Sequence, residues 1–268
     1  MDIQKVLLIS QEIDPYLTGT NTAEFSRTMA QQLQEKGAEV RCFMPRFGAI
    51  NERRNQLHEV IRLSGLNIEI DDTDHPLIIK VATLQPSRMQ VYFIDNDDYF
   101  IHHAAKELET KCCPEDNDER AIFFARGVIE TVKKLRWEPA VIHVIGWVGA
   151  FAPLYIKEFF SQDPTFKSSK IVYSLFDEKF DGALDQRIAE KLRMDGFSDS
   201  QISHLINDAD HIALNKLAID FSDAIVESSG NIPQELIDYA IQSGKPFLRN
   251  PGEDYKEAYL KFYESLTQ

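Results

Sequence analysis

The sequence predicts an α/β fold: a mostly parallel sheet with helices on both faces and a β-hairpin insertion. Three observations carry that prediction. Short runs rich in Val and Ile alternate with helical segments along most of the chain. The first strand, helix and second strand follow one another closely, as in a right-handed βαβ unit. Between about residue 57 and residue 95 the pattern changes to closely spaced β-rich runs with no helix between them, the mark of an antiparallel excursion.

The elements come in this order. Lys5–Ser10 is a short buried-strand pattern, and a polar turn with Pro15 and Gly19 leads from it into a helix over about 21–36. Ala23, Met29, Ala30 and Leu33 supply the apolar positions of that helix, Gly37 stops it, and Ala38–Met44 is the second strand. The hairpin runs are Val60–Leu63, Leu66–Ile70, Leu77–Leu84 and Met89–Ile94, separated by Gly65, Asp71-Asp72 and Pro86-Ser87. Asp116–Leu135 reads as a long helix, with Ile122, Phe123, Ala125, Ile129 and Val132 at helical spacing. Strands return at Ala140–Val144, Ser169–Leu175 and Asp223–Val226, with helices near 148–160, 184–192 and 232–242. No internal repeat, low-complexity tract or linker interrupts the chain, so residues 1–268 read as one domain.

Charge and cysteine usage exclude several classes. A net charge of −14 and a pI near 4.9 leave no basic face for nucleic acid or an anionic membrane. No apolar run approaches the ~20 residues of a membrane helix, and no signal-peptide pattern opens the chain. Three cysteines (Cys42, Cys112 and Cys113) make a poor disulfide framework and fit a reducing cytoplasm. No cofactor is expected. Cys112-Cys113 lacks a zinc spacing, His102-His103 shows no ligand spacing, and Asp95-Asn96-Asp97-Asp98 reads as a solvated acidic loop, so no metal is expected.

Several segments, in order, resemble the N-terminal catalytic domain of glycogen and starch synthases. Ser10-Gln11-Glu12-Ile13-Asp14-Pro15 is similar to that family's S-E-x-x-P opening, and Thr18–Glu24 occupies the place of its K-x-G-G-L-x-D segment. Gly37–Val40, then Pro45-Arg46-Phe47, is similar to G-H-x-V followed by P-x-Y. Val91-Tyr92-Phe93-Ile94-Asp95 with Tyr99-Phe100 matches a strand end of the family, and Asp116-Asn117 with Arg120 resembles its D-N-x-x-R helix start. Ile142-His143 with Trp147 resembles I-H-x-H-D-W, and Ala152-Pro153-Leu154-Tyr155 resembles the helix start just beyond that motif. The likeness covers roughly residues 3–230. Residues 253–266 resemble the last helix of a full synthase, which crosses back onto the first half; any amphipathic helix carrying Tyr255, Tyr259, Phe262 and Tyr263 would look the same.

The resemblance implies a Rossmann-like domain, a single half of the two-domain GT-B architecture. It implies glucosyl transfer from a nucleotide sugar, ADP-glucose, to an α-1,4-glucan. It also marks departures. Thr18 stands where the family has a phosphate-binding lysine, and Thr20 and Asn21 stand where it has two glycines. Ile145 and Gly146 replace the second His and the Asp of H-D-W, and Phe176 and Asp177 stand where His and Asn are expected. The nucleotide-sugar-binding half has no counterpart in these residues. Little or no synthase turnover is therefore expected of this chain alone.

The same resemblance supplies the candidate site residues. Asp116 and His143 are the catalytic candidates, and Thr18, Gly19, Asn117, Arg120 and Trp147 the substrate-binding ones. Each also has a structural use: Asp116 as a helix cap, His143 as a hydrogen-bonded core residue at a strand end. Tyr16, Trp147, Tyr155 and Tyr173 are either sugar-stacking platforms or core aromatics. Partners in view are an α-glucan or a nucleotide sugar, or a protein covering the former interdomain face. A non-catalytic glucan-binding module and a regulatory scaffold remain alternatives to an enzyme. An exposed apolar patch on that face would mark the scaffold.

Overall fold

A computed structural model describes residues 5–101, 115–252 and 255–267. The strands are β1 (Lys5–Ser10), β2 (Glu39–Pro45), β3 (His58–Glu59), β4 (Leu66–Ile70), β5 (Thr73–Leu84), β6 (Met89–Asp95), β7 (Val141–Ile145), β8 (Lys170–Leu175), β9 (Ala224–Glu227) and β10 (Phe247–Leu248). The helices are α1 (Asn21–Glu35), α2 (Asn117–Leu135), α3 (Phe151–Phe159), α4 (Ile188–Met194), α5 (His211–Phe221), α6 (Gln234–Gln242) and α7 (Tyr255–Thr267).

The sheet runs β10-β9-β8-β7-β1-β2-β6-β5-β3, with β4 joined only to β5. Every pairing from β10 to β6 is parallel, and the pairings of β5 with β6, β3 and β4 are antiparallel. The central strands β1 and β7 are buried along almost their whole length, as a sheet covered on both faces requires. The chain leaves β1 for β2 on one side and returns through α2 to β7 on the other, so the order switches between β1 and β7. With right-handed crossovers, α1 then covers one face while α2 and α3 cover the other. Helix α7 packs against α1, and α3 packs against both α2 and α5.

Local sequence accounts for most of these elements. Thr20 caps α1, its Oγ1 accepting from Ala23 N at 3.1 Å. Gly37, at φ +95°, takes the left-handed conformation just beyond the helix end. The excursion forms where expected, with one difference: Val60–Leu63 is a turn. After Val60 N bonds Ile79 O at 2.8 Å, the amides of Leu63 and Ser64 fold back onto Val60 O, leaving Ile61 82% exposed. The acidic segment after β6 also departs from expectation. Asp95 is buried against Lys80 Nζ at 2.8 Å and Arg46 Nε at 3.4 Å, and Asn96 Oδ1 accepts from the amides of Asp98 and Tyr99. Only Asp97 and Asp98 of that run face solvent.

Helix α2 lies unusually close to the sheet at Gly127. A methyl group there would sit 2.8 Å from Ile94 Cγ2 and 3.1 Å from Leu77 Cδ1, both in the core. Gly127→Ala is expected to destabilise by about 1–2 kcal/mol, overpacking outweighing alanine's better helix propensity. Urea denaturation of the variant checks this; a stabilised variant would show that α2 can lift off without cost.

Candidate functional site

Open parallel sheets place ligands outside the carboxyl ends of their strands at the switch point, here between β1 and β7. Gln11 follows β1 and Gly146 follows β7, and Gln11 N donates to Ile145 O at 3.3 Å. Gly146 has φ +84°, and a side chain there would collide with the Gln11 carboxamide. Gln11 Oε1 in turn accepts from Val148 N at 3.4 Å. Glycine at 146 thus lets two neighbouring loops close on each other.

The loop from β1 into α1 is held by its own hydroxyls and carboxylates. Ser10 Oγ donates to Glu12 O at 2.7 Å, and Thr20 donates its hydroxyl to the buried Glu12 carboxylate. Asp14 pairs with Arg27. At the start of α1, Thr22 N donates to Glu178 Oε1 at 3.3 Å, from the loop after β8. Thr18 and Gly19 are exposed on this loop, and Gly19 has φ +92°. The basic side chain beside Glu178, Lys179, is exposed between Asp177 and Asp181.

A cavity of about 260 Å³ opens beside α1. Phe25, Phe176, Tyr255 and Tyr259 give its aromatic surface, and Asn21, Glu24, Ser228 and Asn250 its polar one; no lysine or arginine is among its described lining residues. Phe25 is central, with ring centroids 5.3 Å from Phe176 and 5.2 Å from Tyr259. Ser228 Oγ and Tyr259 Oη lie 2.6 Å apart, tying α7 to the end of β9. A separate groove of about 380 Å³ lies along the flank of α2 and α3, between β4, Tyr155 and Phe159.

His143 does not reach the crevice. It is fully buried, with Nδ1 2.5 Å from Tyr263 Oη and Nε2 2.5 Å from Ser174 Oγ. Burial depresses its pKa to about 3, so the imidazole is neutral and both ring nitrogens are engaged. Trp147 is buried on Phe180, with centroids 4.8 Å apart, and presents no face to a ligand. Tyr16, Tyr155 and Tyr173 are likewise in the core. Cys42 is buried and its thiol is pushed up to about 12, which removes any nucleophilic role. His102, His103, Cys112 and Cys113 lie outside the described residues.

Asp116, Asn117 and Arg120 belong to a second cluster, past β6. Asp116 occupies the N-cap position of α2 without a side-chain bond to the helix amides, so the capping use does not hold. Asn117 and Arg120 are buried together, Arg120 Nη1 donating to Asn117 Oδ1 at 3.3 Å, and the guanidinium lies over Phe47 and Phe100. In the same first turn of α2, Lys191 Nζ meets Asp118 at 2.8 Å and Glu119 at 2.6 Å, and it also meets Asp185 at 3.0 Å. Tyr99 donates to Glu119 Oε2 at 2.8 Å and lies 2.9 Å from His75 Nε2. The structure thus brings Asn117 and Arg120 together, leaves Asp116 half-buried, and sets Thr18 and Gly19 on another loop.

The sequence does not announce Phe25, Tyr255 and Tyr259 as cavity residues, nor Glu178 as the partner of the first turn of α1. Only the spacing of Tyr255 and Tyr259, four residues apart on an amphipathic helix, signalled any of them. The large exposed apolar side chains among the described residues are Ile61, Phe159, Met194, Ile206 and Ile241. None belongs to the loops that follow β1, β7, β8 and β9, so the apolar patch that would mark a scaffold face is not found there among the described residues.

Comparison with known proteins agrees with this architecture. A glycogen synthase of Pelodictyon phaeoclathratiforme is 28% identical over 264 residues, covering 98% of this chain and 52% of the relative. One of Chlorobium limicola is 30% identical over 234 residues, covering 87% and 47%. The catalytic domain of starch synthase IV from Arabidopsis thaliana, solved bound to ADP and acarbose, superposes with a TM-score of 0.71. That match has 16% identity and covers 92% of this chain and 51% of that one. The chain therefore spans about half the length of the curated relatives it matches. No described helix is long and apolar enough to cross a membrane. The profile of the starch synthase catalytic domain matches residues 5–247, from the first strand to the last, and the chain belongs to that family.

Proposed function

We propose that these residues form the glucan-engaging half of a glycogen or starch synthase-type glycosyltransferase. In this reading they hold an α-1,4-glucan at the carboxyl ends of β1, β7, β8 and β9. Capturing ADP-glucose and stabilising its departing diphosphate need cationic groups, which the described lining of the cavity beside α1 does not supply. The observation that carries the reading is the 260 Å³ cavity beside α1, walled by aromatic rings, hydroxyls, amides and the Glu24 carboxylate, with no lysine or arginine among its described lining residues. Such a lining suits an uncharged sugar ring, stacked on one face and hydrogen-bonded at its edge. A phosphoryl or glycosyl-diphosphate leaving group calls for fixed positive charge instead. Asp116, the carboxylate left half-buried past β6, remains the candidate contact to sugar hydroxyls.

The test offers the purified chain ADP-glucose or UDP-glucose with maltohexaose, following nucleotide release and glucan affinity separately. Glucan binding without turnover is the expected result. Nucleotide release that disappears in Asp116→Ala would establish a complete enzyme and overturn the division of labour. Turnover appearing only when a second chain is added would place the donor-handling groups on that partner.

A further inference from the structure

The amides that open a helix attract an anion, because no carbonyl of the helix accepts from them. In α1 that demand is met from within the chain. Glu178 is 8% exposed, and its Oε1 lies 3.3 Å from Thr22 N although the two residues are 156 apart in sequence. Glu12, 2% exposed, receives the hydroxyl of Thr20 at the same helix end. Two carboxylates therefore flank the first turn of α1, where a phosphate would otherwise be welcome.

Three further atoms say what the position lacks. Glu178 Oε2, Thr22 Oγ1 and Ser229 Oγ, the last on the loop after β9, belong to residues more than nine-tenths buried and have no hydrogen-bond partner among the described residues. Buried polar atoms are normally paired, so an unpaired carboxylate oxygen on the residue that meets the first turn of α1 points to an absent ligand group. A carboxylate oxygen only accepts, while a hydroxyl gives or accepts. A ligand that donates a hydrogen to Glu178 Oε2 satisfies that oxygen. A diphosphate, which at neutral pH offers oxygens that accept, does not, and it meets like charge at close range.

From this geometry we infer that Glu178 is a specificity-determining residue: it fills the anion position of α1 with the chain's own carboxylate and turns phosphate-bearing ligands away from the crevice. The inference rests on the reading of that crevice as the ligand site, and narrows what the site admits to hydroxyl-donating ligands such as saccharides.

The experiment titrates inorganic pyrophosphate, and separately maltohexaose, into the wild-type chain, Glu178→Ser and Glu178→Gln by calorimetry, with the Thr22 amide resonance as local reporter. Wild type should bind pyrophosphate only weakly. Glu178→Ser, which frees the Thr22 amide and removes a charge, should bind it at least tenfold more tightly with a shift of the Thr22 resonance. Glu178→Gln keeps an acceptor on that amide without the charge and should gain less. If Glu178→Ser does not fold, any pyrophosphate gain in Glu178→Gln supports the role and no gain overturns it. A folded Glu178→Ser with wild-type pyrophosphate affinity overturns the role of Glu178. A gain in pyrophosphate affinity beside a wild type that ignores maltohexaose would keep that role and sink the glucan reading instead.

Discussion

Replacing Lys191 by Met should lower the unfolding free energy by about 3–5 kcal/mol at pH 7, the cost of stranding a buried carboxylate without its cation. Asp118 is fully buried and Lys191 nearly so, and Glu119 and Asp185 complete the shell of the ammonium. Burial opposes the charge on Lys191, but the hydrogen bonds of Asp118 and Glu119, with Asp185, outweigh it and raise its pKa above the ordinary lysine value. A raised lysine pKa stabilises fully below the unfolded value and is lost only as pH climbs through the folded one, so the neutral range leaves this contribution intact. Asp118 is already pushed up by burial, with Lys191 pulling it down. Without Lys191 it should rise further, and the variant should recover part of its loss between pH 7 and pH 5 as that carboxyl takes a proton. Urea denaturation at both pH values reads the effect. A loss below about 1 kcal/mol at pH 7 would mean that water reaches the cluster.

Acid should unfold the chain chiefly through His143. Its pKa is held near 3 by burial, against an unfolded value near 6.5, so the unfolded state binds the extra proton throughout that window. Stability is complete above about pH 6.5 and falls as pH drops toward 3, by about 4 kcal/mol from this one ring. His211, lowered to about 4 by burial, acts in the same direction. Asp95, Asp118 and Asp195, all raised by burial, act in the opposite one. The decisive comparison is therefore of slopes. His143→Gln keeps an amide between Tyr263 and Ser174 but cannot titrate, and its stability should change far less between pH 6.5 and pH 4. Equal slopes in the two proteins would show that the buried imidazole already carries its proton.

Much of the architecture was legible because each signal was local. Thr20 before an apolar-periodic run and Gly37 after it bracket α1, and the Val/Ile-rich runs fall on the parallel strands. Helix α5 was not read. Its buried residues, among them Leu214, Leu217, Ala218 and Ile219, spread round the helix and form only a weak amphipathic stripe, and the local signal it does carry is its cap, Asp210 Oδ1 accepting from Ala213 N at 2.8 Å. The site was less legible than the fold for a different reason. Asn117 and Arg120 are three residues apart and meet as a helix requires. Phe25, Phe176 and Tyr259 come from three elements that only the strand order unites, and no spacing in the sequence announces them. Glu178 is the extreme case: its partner on α1 becomes visible only once β8 is placed beside β7 and β7 beside β1.

The contact between Tyr263 and His143 has a consequence for the timing of biosynthesis. The two residues are 120 apart, and at about 5–20 residues per second a ribosome needs about 6–24 s to travel from one to the other. Throughout that interval β7 can already pair with β1, yet the ring at its heart has neither its tyrosine partner nor the cover of α7. The emerging chain therefore carries an open seam of Phe25, Phe176 and the imidazole that only a late helix can seal. The seam closes only once α7 has been made, and a chaperone that shields nascent chains would find its work there until then.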